Sequence, residues 1–76
     1  MKEEDLLIII NEILEEDCED SLKELKPSYN LREDVGFDSL SLAQLTVKIE
    51  SVYGIDIFAD GIINTVQEIY DKVNRK

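Results

Sequence analysis

Residues 36–54 read Gly-Phe-Asp-Ser-Leu-Ser-Leu-Ala-Gln-Leu-Thr-Val-Lys-Ile-Glu-Ser-Val-Tyr-Gly. Apolar side chains recur here at helical spacing, so that one set falls within an arc of about 100°. That set is Leu42, Leu45, Ile49, Val52 and Tyr53. The pattern predicts a helix over residues 39–53 that turns this face towards a core. Gly54 follows where helices commonly end in a left-handed residue.

Ser39 lies where a loop should end and this helix should begin. Its hydroxyl suits a helix N-cap, because it can accept a hydrogen bond from a free backbone N–H. The same N–H groups and the positive end of the helix dipole also favour an attached phosphate. Both interpretations of Ser39 stay open on this feature alone.

A second apolar stripe runs along the opposite side of the same helix. It consists of Leu40, Ala43 and Val47, with Ser51 among them. A helix in so small a domain cannot easily bury both sides, so we expect an exposed apolar patch of the kind that marks a binding site. The alternative is that the preceding loop covers this stripe.

The N-terminal segment is predicted to be an amphipathic helix over about residues 3–17, since apolar residues at 6, 7, 10, 13 and 14 share one face. Ile8 and Ile9 lie off the centre of that face, so we expect partial exposure. Cys18 extends the face and is expected to be packed or half-buried. Acidic residues in the first turn, Glu3, Glu4 and Asp5, complement the helix dipole.

Two further capping patterns divide the rest of the chain. Ser21 to Glu24 resembles a capping box and predicts a short helical turn before Pro27, within a long connection over residues 18–38. We expect that connection to be anchored by its apolar side chains, namely Leu22, Leu25, Tyr29, Leu31, Val35 and Phe37. Thr65 to Glu68 is a second capping box.

The second box opens a last helix, with Val66, Ile69, Tyr70 and Val73 on one face and Lys72, Arg75 and Lys76 at its C-terminal end. Residues 55–58 are predicted to form an extended apolar connection, and residues 59–62 can hold at most a turn of helix. The predicted fold is therefore all-α: a single domain over residues 1–76 with three main helices and a short irregular helix or turn between the last two.

Composition excludes several classes of function. The chain has no histidine and one cysteine, so Ser–His or Cys–His catalysis and a His- or Cys-based zinc site are impossible within it. No calcium-binding loop is present. We therefore expect neither an enzyme nor a metal site.

The charge balance disfavours two kinds of partner. Eighteen acidic and eight basic residues give a net charge of −10, which repels nucleic acid and anionic lipid and attracts basic patches on proteins. No apolar run has membrane-spanning length, and the first residues lack a signal-peptide pattern. We expect a soluble, cytoplasmic domain that binds neither nucleic acid nor membrane.

The motifs together resemble the acyl carrier protein family over about residues 31–70. The resemblance rests on residues 31–40, Leu-Arg-Glu-Asp-Val-Gly-Phe-Asp-Ser-Leu, on the helix with Leu45 and Ile49, and on Tyr53-Gly-Ile-Asp-Ile57 and Thr65-Val66. It implies a small carrier bundle in which Ser39 receives 4'-phosphopantetheine from coenzyme A through a phosphodiester. Acyl groups would be carried as thioesters on the thiol of that arm.

The same resemblance implies partners and site residues. A separate phosphopantetheinyl transferase (holo-carrier synthase) would modify Ser39, with Asp38 assisting recognition. Leu40, Ala43 and Val47 would contact partner enzymes: acyl- or aminoacyl-activating ligases, acyltransferases and synthases of fatty-acid, polyketide or specialised acyl metabolism. A monomer is expected, because a carrier presents one face to successive enzymes.

The chain also departs from the family pattern. In typical fatty-acid carriers the helix after the serine carries several acids, but here Glu50 is its only acid. The segment Phe58 to Ile63 is shorter than the pattern, and the loop around residues 23–29 is longer. The scarcity of acids favours a specialised carrier, and the shortened segment leaves open whether the bundle can shelter a long acyl chain. An aminoacyl, D-alanyl or peptidyl carrier stays open, as does an unmodified helical interaction module with Ser39 as a plain N-cap.

Overall fold

The structure is a computed structural model that describes residues 1–59 and 61–74. Three α-helices follow in the order α1 (Glu3–Glu16), α2 (Ser39–Tyr53) and α3 (Val66–Val73). Within the described ranges, extended pairing is limited to one isolated antiparallel bridge between Asn30 and Thr65. The all-α prediction is confirmed.

Helix α1 turns a broad apolar face inwards, comprising Leu6, Ile9, Ile10, Ile13 and Leu14. Ile8 is 60% exposed, as expected, but Ile9 is only 8% exposed, so the expectation of partial exposure was wrong for Ile9. The reason is tertiary packing, because Ile9 is part of the buried core cluster and α1 packs against α2.

Helix α2 packs its predicted core face against α1 and the loop, with Leu42, Leu45 and Ile49 buried. Val52 is 67% exposed, and its predicted place in the core was wrong. It lies at the edge of the apolar arc and borders the open groove beside α1. Gly54 ends the helix in the left-handed region at φ +70°, and its N–H donates to the carbonyl of Glu50, as predicted for a C-cap.

The chain leaves α1 differently from what we expected. Cys18 is exposed and has φ +60°, a left-handed conformation that turns the chain away from the helix axis, so it does not extend the apolar face. The predicted helical turn at residues 21–24 does not form. Asn11 of α1 instead binds both backbone groups of Leu22, accepting from its N–H at 2.8 Å and donating to its carbonyl at 3.1 Å.

The rest of the connection is anchored by its apolar side chains, as predicted. Leu25, Leu31, Val35 and Phe37 are buried, while Leu22 and Tyr29 pack against the core. Backbone hydrogen bonds join this loop to the start of α3: Leu31 N–H donates to Asn64 O at 2.8 Å, and Val66 N–H donates to Tyr29 O at 3.0 Å. The loop before α2 is thereby held to the opposite end of the chain.

The segment between α2 and α3 forms a turn over residues 57–59, in which Ile57 is buried. Thr65 caps α3 in the predicted capping box, with Glu68 bonded back to the N-cap backbone. Lys72 lies in the last turn, whereas the predicted roles of Arg75 and Lys76 fall outside the described residues. Of the helices that are described, none is both long enough and apolar enough to cross a membrane.

Two leucines on α2 allow a matched test of this packing. Leu45 is 0% exposed and Leu40 is 66% exposed. We expect Leu45→Ala to lower the free energy of unfolding by about 2–5 kcal/mol, because it leaves a cavity in the core. Leu40→Ala should change it by no more than about 0.5 kcal/mol. Urea unfolding followed by circular dichroism measures both, and equal losses would contradict the assigned faces.

Candidate functional site

Ser39 is the first residue of α2 and is exposed. The N-cap is its neighbour Asp38, which has the extended backbone of a cap and accepts a hydrogen bond from Ser41 N–H at 2.9 Å. The interpretation of Ser39 as the N-cap was therefore wrong. The capping bond is made by Asp38, so the Ser39 hydroxyl has no hydrogen-bond partner among the described residues.

Asp38 belongs to a small polar cluster that joins α2 to the end of α1. The Ser41 hydroxyl, in a side chain that is 3% exposed, lies 2.8 Å from Asp17 Oδ2 and 3.0 Å from Asp38 Oδ1. Because the hydroxyl carries one proton, it donates to one of the two carboxylates at a time. The cluster thus places Asp17 beside the cap of α2.

The hydrogen bonds from Ser41 also affect the ionisation of the Asp38 carboxyl. The backbone N–H of Ser41, and after it the Ser41 hydroxyl, lower the pKa of the Asp38 carboxyl from its usual value, because they stabilise the charged form. Asp38 is therefore a carboxylate at neutral pH. Neither this cluster nor any other part of the chain that the structure describes has three or more His, Cys, Asp or Glu side chains placed to hold a metal ion.

Sequence analysis missed Ser41 and Asp17. The Asp-x-x-Ser spacing of residues 38–41 could have indicated an N-cap at Asp38, since an N-cap side chain bonds the N–H two or three residues ahead. Asp17 is separated from Ser41 by 24 residues, so no local sequence pattern predicts that contact.

The second stripe of α2 is exposed, as predicted, so the alternative that the loop covers it was wrong. Leu40 and Val47 are 66% and 67% exposed, and Ala43 is exposed between them. Ala43 and Val47 also border an open groove of about 370 Å³ between α1 and α2. An apolar surface therefore extends from the start of α2 along its length.

An open cavity of about 230 Å³ borders Ser39. It is lined by Arg32, Ser39, Leu42, Ala43, Thr46, Phe58 and Ile62. The Thr46 hydroxyl donates to the Leu42 carbonyl at 3.0 Å, so its hydrogen-bonding capacity is partly used within the helix. Apart from Ser39 and Arg32, the described residues that line this cavity are therefore largely apolar.

This arrangement can be compared with known proteins. A family profile described as "Phosphopantetheine attachment site" matches residues 4–73. The chain belongs to the acyl carrier protein family. Carrier domains of this family bear covalently attached 4'-phosphopantetheine, work with synthase and transferase enzymes, and are generally not catalytic.

The chain is also similar to a curated carrier protein. Over 44 residues it is 41% identical to the actinorhodin polyketide synthase acyl carrier protein of Streptomyces coelicolor, a match that covers 55% of this chain and 51% of that relative. The chain thus spans about half the length of the curated relative that it matches. No solved structure matches the chain.

The lowered pKa of Asp38 predicts a pH dependence of stability. A carboxyl whose pKa is lower in the folded than in the unfolded state stabilises the fold above the unfolded value of about 3.9, and this stabilisation is lost as pH falls through the folded value. Asp38→Asn keeps a capping oxygen but removes the charge. We expect wild type to be more stable than this variant at neutral pH, with the difference shrinking below about pH 4.

Urea unfolding at a series of pH values measures this difference. Asp20→Asn serves as the control, because Asp20 is exposed and makes no hydrogen bond or ion pair with a described residue. Its difference from wild type should vary less with pH than that of Asp38→Asn. A pH-independent difference for Asp38→Asn would contradict the assignment.

Proposed function

We propose that Ser39 is the residue to which 4'-phosphopantetheine is attached, and that the chain carries acyl groups on it. The observation that carries this proposal is the exposed Ser39 hydroxyl at the start of α2, left without a hydrogen-bond partner among the described residues because Asp38 caps the helix. A transferase can therefore reach this oxygen without breaking a structural bond.

The surroundings of Ser39 fit such a group. Helices α1 and α3 have acids in their first turn, whereas the first turn of α2 has none and its N-cap is the Asp38 carboxylate. A phosphate on Ser39 would share the positive end of the α2 dipole with that carboxylate. The adjoining cavity offers apolar walls and a guanidinium. When attached, the group supplies a terminal thiol that holds acyl groups as thioesters.

We propose that this chain is a carrier and not an enzyme. It contains no histidine, and the Asp38 carboxylate is engaged by Ser41 instead of being placed as a base for Ser39. A separate phosphopantetheinyl transferase would activate the serine and use Asp38 for recognition. We further propose one cytoplasmic, monomeric carrier domain over residues 1–76.

The cargo is proposed to be an acyl or polyketide group of specialised metabolism. Two observations support this choice over a housekeeping fatty-acid carrier: Glu50 is the only acid in α2, and the relative described above is named as a polyketide synthase carrier. Aminoacyl cargo is the second candidate within the carrier class.

The exposed stripe Leu40, Ala43 and Val47 is proposed as the surface that partner enzymes contact. It begins one residue after Ser39, so an enzyme that binds it has the attachment point at the edge of the interface. The net charge of −10 favours basic partner surfaces and fast, exchangeable encounters. Transferases, activating ligases, acyltransferases and synthases would use this surface in turn.

The attachment site is tested by mass. Purified protein is incubated with coenzyme A and a broad-specificity phosphopantetheinyl transferase, and intact mass should rise by one phosphopantetheine. Ser39→Ala should abolish the rise, whereas Ser51→Ala, an exposed serine on the same helix, should keep it. A wild-type mass that stays unchanged with several transferases would favour the unmodified interaction module.

The partner surface is tested by kinetics of the same reaction. Val47→Glu removes an apolar contact and adds a charge, and we expect it to lower kcat/KM of the transferase by about fivefold or more. Ile8→Glu, at a position 60% exposed on α1, is the control and should stay near the wild-type rate. Unfolding in urea should show both variants folded. A kcat/KM of Val47→Glu equal to that of the wild type would contradict the proposed partner surface.

A further inference from the structure

Arg32 and Ser39 border the same cavity, although they belong to different segments of the chain. Arg32 is an exposed loop residue, and Ser39 begins α2. The other lining residues are Leu42, Ala43, Thr46, Phe58 and Ile62. Among the described residues that line this cavity, Arg32 is the charged one, and its charge is positive.

The guanidinium of Arg32 is not used by the fold. It forms no ion pair and no hydrogen bond with a residue that the structure describes. Other cations are used differently: Lys48 Nζ lies 3.6 Å from Glu16 and 3.8 Å from Glu12, and Lys26 Nζ lies 3.8 Å from Glu24. In a chain of net charge −10, a cation left available beside a cavity is suited to an external anion.

The backbone of Arg32 is held in a defined position. Its N–H donates to Asn30 Oδ1 at 2.8 Å. The preceding Leu31 is 0% exposed, and its carbonyl accepts from Phe37 N–H at 2.9 Å. These bonds close the loop just before α2, so the base of the Arg32 side chain is fixed relative to Ser39.

We propose that Arg32 binds the phosphodiester of 4'-phosphopantetheine on Ser39 and so positions the first part of the arm at the cavity. This inference rests on the proposed attachment at Ser39. The phosphorus would be bonded directly to Ser39 Oγ, so its charge stays near the cavity whatever cargo is carried. A guanidinium matches phosphate oxygens with two parallel N–H donors, and the apolar walls offer the anion no comparable partner.

The contact is a weak one, as a carrier needs. Arg32 is exposed, and exposed ion pairs shift an equilibrium by about two- to fivefold. Arg32 is therefore a positioning residue that biases the arm towards the cavity and still releases it to a partner enzyme.

The test compares the apo and holo forms by NMR. Protein labelled with ¹⁵N is converted to the holo form, and conversion is confirmed by intact mass for wild type, Arg32→Gln, Arg32→Lys and Lys26→Gln. The control Lys26→Gln removes the same charge at an exposed loop site outside the cavity. The readouts are the Arg32 Nε–H signal and the ³¹P resonance of the phosphodiester.

We expect the Arg32 Nε–H signal to shift and to exchange more slowly with water in the holo form. The ³¹P resonance should move in Arg32→Gln, move less in Arg32→Lys, and stay at the wild-type position in Lys26→Gln. The order of the ³¹P shifts among these three variants distinguishes a guanidinium contact from a general effect of charge.

The contrary outcomes are distinct. A wild-type mass that does not rise overturns the attachment at Ser39 and this contact with it. A mass that rises with unchanged Arg32 and ³¹P signals overturns the Arg32 contact alone. If the Arg32 signal shifts only after loading with malonyl, and not with propionyl or in the unloaded holo form, Arg32 binds a cargo carboxylate, which also overturns the phosphodiester assignment.

Discussion

The hydrogen bond from Ser41 N–H to the Asp38 carboxylate is the interaction on which the site depends. It satisfies one of the free N–H groups in the first turn of α2, and because the acceptor is Asp38, the Ser39 hydroxyl is not needed for this bond. Had Ser39 itself capped the helix, the proposed attachment would have competed with the cap for the same oxygen. The cap at Asp38 leaves the Ser39 hydroxyl available for that attachment.

This cap is itself supported by tertiary contacts. Ser41 is buried and links Asp38 to Asp17 at the end of α1, while the loop before Asp38 is anchored by Leu31 and its backbone bonds to the start of α3. The beginning of α2 is thus held by both terminal helices. The proposed attachment point at Ser39 therefore lies beside a helix start that is held by several tertiary hydrogen bonds.

The two sides of α2 differ in exposure, one being buried in the core and the other open to solvent. Leu42, Leu45 and Ile49 are buried, and they contribute to the fold. Leu40 and Val47 on the other side are exposed, as the proposed partner surface requires. Because the core of so small a protein is thin, an apolar stripe left in solvent is better explained by a partner than by packing.

The sequence by itself determined the three helices, the C-cap at Gly54, the capping box at Thr65 and the exposed stripe on α2, because each depends on local spacing or local capping chemistry. Tertiary structure alone decided which side chains at the edges of the helix faces are buried and which distant residues come together. The burial of Ile9 and the exposure of Val52 depend on where a neighbouring helix lies, which periodicity does not contain. Leu22 forms hydrogen bonds with Asn11 instead of a helical turn, because a side chain distant along the chain competes with the local preference once the helices pack. Arg32 and Ser39 border the same cavity only because the loop folds back beside the start of α2.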